Sequence, residues 1–303
     1  MASPGKSPRA PRPGSILTSR DNRWLKEFRI ALRGGLPTES GAVGVEGPRL
    51  VEEALHSGCH IEAVLFSESG ARHRERLAPV IDRPEIAFPV LQTTDRLFEG
   101  IADTENPQGV AALVVPRSAN LDELVRPSAS GASPLLVVLA GVQDPGNVGT
   151  IIRTGAAFGA TAVIATASGQ SGTASPFSPK ALRASAGAAL HLPILSGMSL
   201  PVLLTQLKLH KILVLASTLR EHESGGPPCF APWNVNWLDP VALLVGNEGA
   251  GLPEEVERSA DACVRIPMAS RVESLNAAAA AAVLFYEAAR QRNNLPTTDI
   301  LKP

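Results

Sequence analysis

Leu135-Leu136-Val137-Val138-Leu139-Ala140 runs directly into Gly141-Val142-Gln143-Asp144-Pro145-Gly146-Asn147-Val148-Gly149-Thr150. Six consecutive apolar residues read as a parallel strand covered on both faces, because a half-exposed strand would alternate. Glycine, proline and asparagine then make a turn, and Ile151 to Phe158 carries helical spacing that ends at Gly159. Further apolar runs at 161–166, 211–218, 241–246 and 262–267 are separated or followed by helical stretches near 148–158, 179–189, 199–209, 253–260 and 276–291. Strand and helix in alternation predict an α/β fold with a parallel sheet over residues 134–295.

Toward the N-terminus the pattern loosens. Residues 117–133 hold Ser-Ala-Ser-Gly-Ala-Ser between Pro127 and Pro134, the composition of a linker. Before it, residues 19–116 alternate a basic helix near 20–33, a strand at 42–46, a helix at 49–57, a strand at 61–66, a helix at 71–80, an apolar stretch at 87–91 and a strand at 109–115. This is a second, smaller α/β domain. Residues 1–18, with prolines at 4, 8, 11 and 13 among small and basic residues, bury too little apolar area to offset their ordering entropy and are expected to form a disordered tail. Residues 296–303 are expected to be a second tail.

With 303 residues and 44% apolar content the chain can build more than one core. Its net charge of −1 argues against holding a polyanion by bulk electrostatics. The charge is unevenly placed, however: up to Arg33, eight cationic side chains face two acidic ones, a local excess of +6. Cys59, Cys229 and Cys263 are odd in number and lack metal-ligand spacing, which supports neither a disulfide framework nor a metal site. No window approaches the ~20 apolar residues of a membrane span, and no hydrophobic signal core opens the chain, so a cytoplasmic protein is expected.

Three strand ends carry chemistry-bearing residues. Ligands in open α/β sheets gather at the carboxyl ends of strands, which is where Asn147 and Arg153 follow the first strand. Asn147 is expected at the helix cap, although turn and cap preferences alone also explain Asp144 to Asn147. Arg153 stands in an otherwise small and apolar helix, where it either meets an anion or snorkels to the surface. After the strand at 241–246 comes Gly246-Asn247-Glu248-Gly249-Ala250-Gly251-Leu252, whose glycines let backbone groups approach a compact ligand beside the Glu248 charge. Neither this turn nor Gly141–Gly149 has the G-x-G-x-x-G spacing of a dinucleotide site, and no phosphate-binding P-loop is present. The third end is Ile266-Pro267-Met268, followed by Ser274-Leu275-Asn276 at the start of the last helix, with Ser274 as the expected cap and the helix start as an anion site. The alanines from 277 to 282 suit close packing against a helix or another subunit.

Together these three blocks, with Ser178 to Ala188 between them, resemble the signature of the SpoU, or TrmH-like, RNA ribose 2′-O-methyltransferases of the SPOUT superfamily. The resemblance spans about residues 134–291. More loosely, Val45 to Leu55 and Gln108-Gly109-Val110 resemble the small RNA-binding domain that precedes such catalytic domains. The resemblance implies a parallel sheet with a C-terminal trefoil knot, an exception to the rule that chains avoid knots. It also implies S-adenosyl-L-methionine enclosed by Thr218, Gly246, Asn247, Gly251, Ile266, Met268 and Leu275, with backbone contacts at Gly246, Ile266 and Leu275. The implied catalytic group is Asn147, Arg153, Glu248, Ser274 and Asn276, without metal. A homodimer joined at the last helix and an RNA substrate, ribosomal first, complete the expectation. The alternatives are a transfer RNA ribose methyltransferase or a non-catalytic RNA-binding assembly factor of the same fold.

Overall fold

The structure, a computed structural model, describes residues 16–83, 88–127, 131–167, 172–220, 226–269 and 274–293. The chain divides into two compact units between Arg117 and Ser118.

The first unit contains β1 (Ile16–Leu17), α1 (Arg23–Ala31), β2 (Val43–Glu46), α2 (Pro48–His56), β3 (His60–Ser67), α3 (Arg74–Ile81), β4 (Val90–Thr93), α4 (Asp95–Glu99) and β5 (Val110–Val115). Its described strands form a sheet in the order β1-β4-β3-β5-β2, with β5 antiparallel to both of its neighbours. The basic helix forms because Asn22 accepts from the Trp24 backbone N–H at 2.9 Å, and Leu25, Phe28 and Ala31 fall on one face. That face enters a core with Leu65, Leu91, Phe98 and Leu113. Ile16 and Leu17 pair with Gln92 and Thr93, and Leu17 is buried, which gives two residues of the expected tail a place in the sheet. The remainder of that tail, and residues 296–303, lie outside the described residues.

The second unit continues with α5 (Leu121–Leu124), β6 (Leu135–Leu139), α6 (Pro145–Ala157), β7 (Ala162–Ala167), α7 (Pro179–Ala184), α8 (Ala188–His191), β8 (Ile194–Ser199), α9 (Leu200–Leu209), β9 (Leu213–Ser217), β10 (Cys229–Phe230), β11 (Val241–Val245), α10 (Glu254–Ser259), β12 (Ala262–Val264) and α11 (Ala277–Asn293). The described strands are ordered β10-β12-β9-β11-β6-β7-β8, and every neighbouring pair is parallel. The α/β parallel-sheet expectation is met, and every residue of β6 and β11 is buried.

Two expectations change here. The stretch 117–133 is not simply a linker, because Leu121, Leu124 and Val125 pack into the core beside Leu136, Val138 and Leu244. Asn120 starts that short helix by accepting from the Glu123 N–H at 3.0 Å. The helix expected over 179–189 is two helices, interrupted where Ala186 and Gly187 take positive φ.

Register sets the site. Leu139 lies opposite Val245, Leu244 opposite Ala216, and Ser217 opposite Val264. The carboxyl ends of β6, β11, β9 and β12 are therefore level and adjacent, and the loops leaving them emerge at one edge of the sheet. Helix α11 reaches the same edge and packs along α6, with Phe285 approaching Gly155.

Candidate active site

Helix α6 opens with Pro at its first position and Asp144 as its cap, accepting from the Gly146 N–H at 2.7 Å. Asn147, expected to be the cap, is instead the third residue of the helix, free to point at the loop beyond β11. The Lys180 ammonium donates to Asp144 at 2.8 Å and, with the Gly146 N–H, holds that carboxyl below the usual carboxylate range.

Glu248 gathers the strand ends. It accepts from the backbone N–H of Gln143 and of Asp144, each at 3.1 Å, and from the Asn147 side-chain amide at 3.0 Å. Partial burial pushes its carboxyl up, but the bonds from Asn147, Gln143 and Asp144 outweigh this and hold it below its ordinary value. Asn147 in turn accepts from the Asn276 amide at 3.1 Å. Asn276 accepts from the N–H groups of Ala278 at 2.9 Å and Ala279 at 3.3 Å, which makes Asn276, and not Ser274, the cap of the last helix. The physical reason is position: Asn276 immediately precedes Ala277, and its short side chain reaches the first unsatisfied donors.

The loop after β11 is self-supporting. Asn247 and Gly251 exchange backbone bonds of 3.1 and 2.9 Å, while the Asn247 side chain accepts from Gly249 and Ala250 and donates to the Gly141 carbonyl at 3.0 Å. Its amide is thus committed to the loop. A Cβ on Gly246 would lie 2.5 Å from the Gly251 carbonyl carbon and the Leu252 nitrogen, so only glycine lets the loop fold back on the strand end.

Between this loop and the ends of β9, β12 and α11 lies a cavity of about 300 Å³. Thr218, Gly246, Asn247, Gly251, Ile266, Met268 and Leu275, all expected to hold a cofactor, line it, together with Glu248 and Ser274. Ala277, Ala280, Ala281 and Leu284 give it an apolar wall. Among the described residues no cluster of three His, Cys, Asp or Glu side chains could hold a metal ion, and no helix is long and apolar enough to cross a membrane.

The model of the SpoU rRNA Methylase family matches residues 134–286. The chain belongs to this family. Upstream of the SpoU region, the model of an MRM3-like substrate binding domain matches residues 38–112. The chain is 33% identical, over 91% of its length and 94% of the relative's, to an uncharacterized tRNA/rRNA methyltransferase of Synechocystis. It is 30% identical, over 89% of its length and 97% of the relative's, to the 23S rRNA (guanosine(2553)-2′-O)-methyltransferase RlmP of Bacillus subtilis. Among solved structures, the SpoU methyltransferase AviRb of Streptomyces viridochromogenes in complex with AdoMet matches with a TM-score of 0.74 and 25% identity, over 91% of this chain and 100% of that one.

In this SpoU chain the expected residues fall into two sets. Asn147, Glu248 and Asn276 form one hydrogen-bonded line at the mouth of the sheet edge, whereas Arg153 stands apart. It is exposed with Thr150 and Ala157 on the outer stripe of α6 and is not among the residues lining the cavity. Its charge is therefore solvated, and the cost expected for a cation in an apolar segment does not arise.

Two site residues escaped the sequence reading. Arg220 and Glu257 both line the cavity, and Glu257 is 2% exposed. The available signal was helical phase, since Glu257 shares its face with the buried Val256 and Ala260.

Proposed function

We propose that this protein transfers a methyl group from S-adenosyl-L-methionine to a ribose 2′-hydroxyl of RNA, with ribosomal RNA as its substrate class. The observation that carries the reading is the cavity at the level ends of β9, β11 and β12, walled by the Gly246–Gly251 loop and the start of α11. Its volume matches the lower end of small-molecule sites, roughly 300–1,000 Å³. A polar loop opposite an alanine and leucine wall suits a ligand with a flat base at one end and a charged amino-acid tail at the other. The names of the relatives, a 23S rRNA guanosine 2′-O-methyltransferase and a SpoU enzyme in complex with AdoMet, support the same substrate and donor.

When bound, the donor supplies an electrophilic methyl group on a sulfonium. The chain must then place an acceptor hydroxyl in line with it and favour loss of the hydroxyl proton. Gly246, Ile266 and Leu275 would hold the donor through backbone groups, with Met268 and Gly251 closing around it. Thr218 donates its hydroxyl hydrogen to Glu257 and accepts from the Arg220 N–H, so toward a ligand it can only accept. Asn147, Glu248 and Asn276 would fix the starts of α6 and α11 beside the acceptor, and Ser274 would border the donor.

Arg153 takes the role of binding the phosphate next to the acceptor and stabilising negative charge on the ribose oxygen. A guanidinium stays protonated in proteins, which disfavours it as the base. Because Arg153 does not line the cavity of its own chain, the reading includes a homodimer in which it faces the cavity of a second copy. The exposed Val283 and Tyr286 on α11, with Tyr286 meeting Phe158 edge to face at 6.0 Å, support an interface along these helices. A knot at the C-terminal end belongs to the same reading and rests on the family alone. The three cysteines, odd in number and widely spaced, support a reducing, cytoplasmic setting.

The test is incubation of the purified chain with radiolabelled donor and separate ribosomal and transfer RNA fractions, followed by alkaline hydrolysis. Alkali-resistant labelled dinucleotides from ribosomal RNA are the expected product. Label in transfer RNA alone would move the substrate class, and no label in any RNA would overturn the reading.

A further inference from the structure

Arg220 leaves the end of β9 and bridges to the loop on the far side of the cavity. Its guanidinium donates to the carbonyls of Leu252 and Ala250, each at 3.4 Å, and lies 3.6 Å from one carboxylate oxygen of Glu257. The other oxygen of Glu257 accepts from the Thr218 hydroxyl at 3.0 Å. Arg220 is half exposed, whereas Glu257 is buried beneath it. As a surface ion pair this contact would contribute little. Its geometry offers something else: a planar fork whose separate N–H groups engage two loop carbonyls while a fixed counter-charge orients the plane.

The loop those carbonyls belong to is the one that Gly246 folds back on the strand end. Its own bonds tie Asn247 to Gly251, Gly249, Ala250 and Gly141. The Arg220 bonds tie it to β9 and α10, the elements that form the opposite wall.

We propose that Arg220, seated on Glu257, is a positioning residue that holds the Asn247–Leu252 loop in the shape that accepts the methyl donor. The inference rests on the methyl-donor reading above. A lysine at 220 would keep the charge beside Glu257 but, with a single ammonium, would not hold both carbonyls in a fixed plane. The proposal therefore separates orientation from charge balance.

The experiment titrates S-adenosylhomocysteine calorimetrically into the full chain, Arg220→Ala, Arg220→Lys and Glu257→Gln, with the thermal midpoint of each measured alongside. Arg220→Ala is expected to weaken binding about tenfold, the scale of one lost charge-assisted hydrogen bond, and Arg220→Lys nearly as much at an unchanged thermal midpoint. Glu257→Gln, which keeps an acceptor for Thr218 but removes the orienting charge, is expected to weaken binding about threefold. Affinity within twofold of the parent in both Arg220 variants overturns the proposal, as does full rescue by lysine. Should Arg220→Ala not fold, Arg220→Lys decides by the same criterion. If the parent chain itself binds no S-adenosylhomocysteine, the donor reading fails and this proposal with it, a result distinct from a parent that binds and variants that bind equally.

Discussion

Asn147 and Glu248 lie 101 residues apart in the chain and are joined by one hydrogen bond of 3.0 Å from the Asn147 amide nitrogen to a carboxylate oxygen. The same amide accepts from Asn276 through its oxygen, so one side chain aligns the first turn of α6, the loop after β11 and the first turn of α11. Asn147→Asp would replace the donor with a second carboxylate facing Glu248. Turnover at saturating donor is expected to fall about 100-fold, the scale of a misplacement near 1 Å, while donor affinity stays within a few-fold. Single-turnover methyl transfer and calorimetry on the same preparation check both halves, and a variant with parental turnover would remove Asn147 from the acceptor side.

Glu248 also carries a pH signature. Hydrogen bonds from Asn147, Gln143 and Asp144 hold its folded carboxyl below the ordinary 4.5 despite partial burial. A carboxyl depressed by folding stabilises the protein above its unfolded value, and that stability is lost as pH falls through the lower folded value. Urea denaturation of the parent and Glu248→Gln should thus show a constant gap above about pH 5.5 that narrows below 4.5. A gap independent of pH down to 3 would show that the carboxylate charge does not matter to the fold.

The level strand ends explain why so much of the site could be read in advance. Runs such as Leu135–Leu139 and Val241–Val245 are apolar at every residue because helices cover both faces, and that continuity survives in the sequence. Strand β8 left no such mark. It is an edge strand with Ser196, Gly197 and Ser199 among its residues, so its pattern resembles a loop. Helical phase could mark Glu257 as inward-facing, but its pairing with Arg220 left no mark: that partnership exists only once β9 and α10 are brought to the same cavity, and sequence distance says nothing of it. The caps failed by small offsets, Ser274 for Asn276 and Asn147 for Asp144, since several residues near each helix start had suitable side chains and only geometry chooses among them.

Gly246 acts on the donor site through the loop, since the nearest atoms to an added Cβ are backbone of Gly251 and Leu252 at 2.5 Å. Gly246→Ala should therefore unfasten the Asn247–Gly251 pairing, abolish detectable binding of S-adenosylhomocysteine and lower the thermal midpoint. Gly249→Ala serves as the contrast, since its added Cβ meets only the Asn247 side-chain oxygen at 3.6 Å, an ordinary contact. Donor affinity within about twofold is expected for it. Equal losses in both would mean that the loop tolerates no side chain for some reason other than this close approach.

Arg153 tests the shared site. It lies on the solvent-facing stripe of α6 and does not line its own chain's cavity, so Arg153→Ala should fold and bind the donor like the parent while losing about 100-fold in turnover. In a homodimer that supplies this arginine across the interface, Arg153→Ala and Gly246→Ala damage different halves of each composite site. Subunits exchanged between the two inactive variants would then contain one intact site in each mixed dimer, and random mixing should restore roughly a quarter of the parental rate. If the arginine serves its own chain's cavity, every site in the mixture lacks one component and no activity returns. The mixing experiment thus decides whether catalysis belongs to one chain or two, independently of any measurement of oligomeric state.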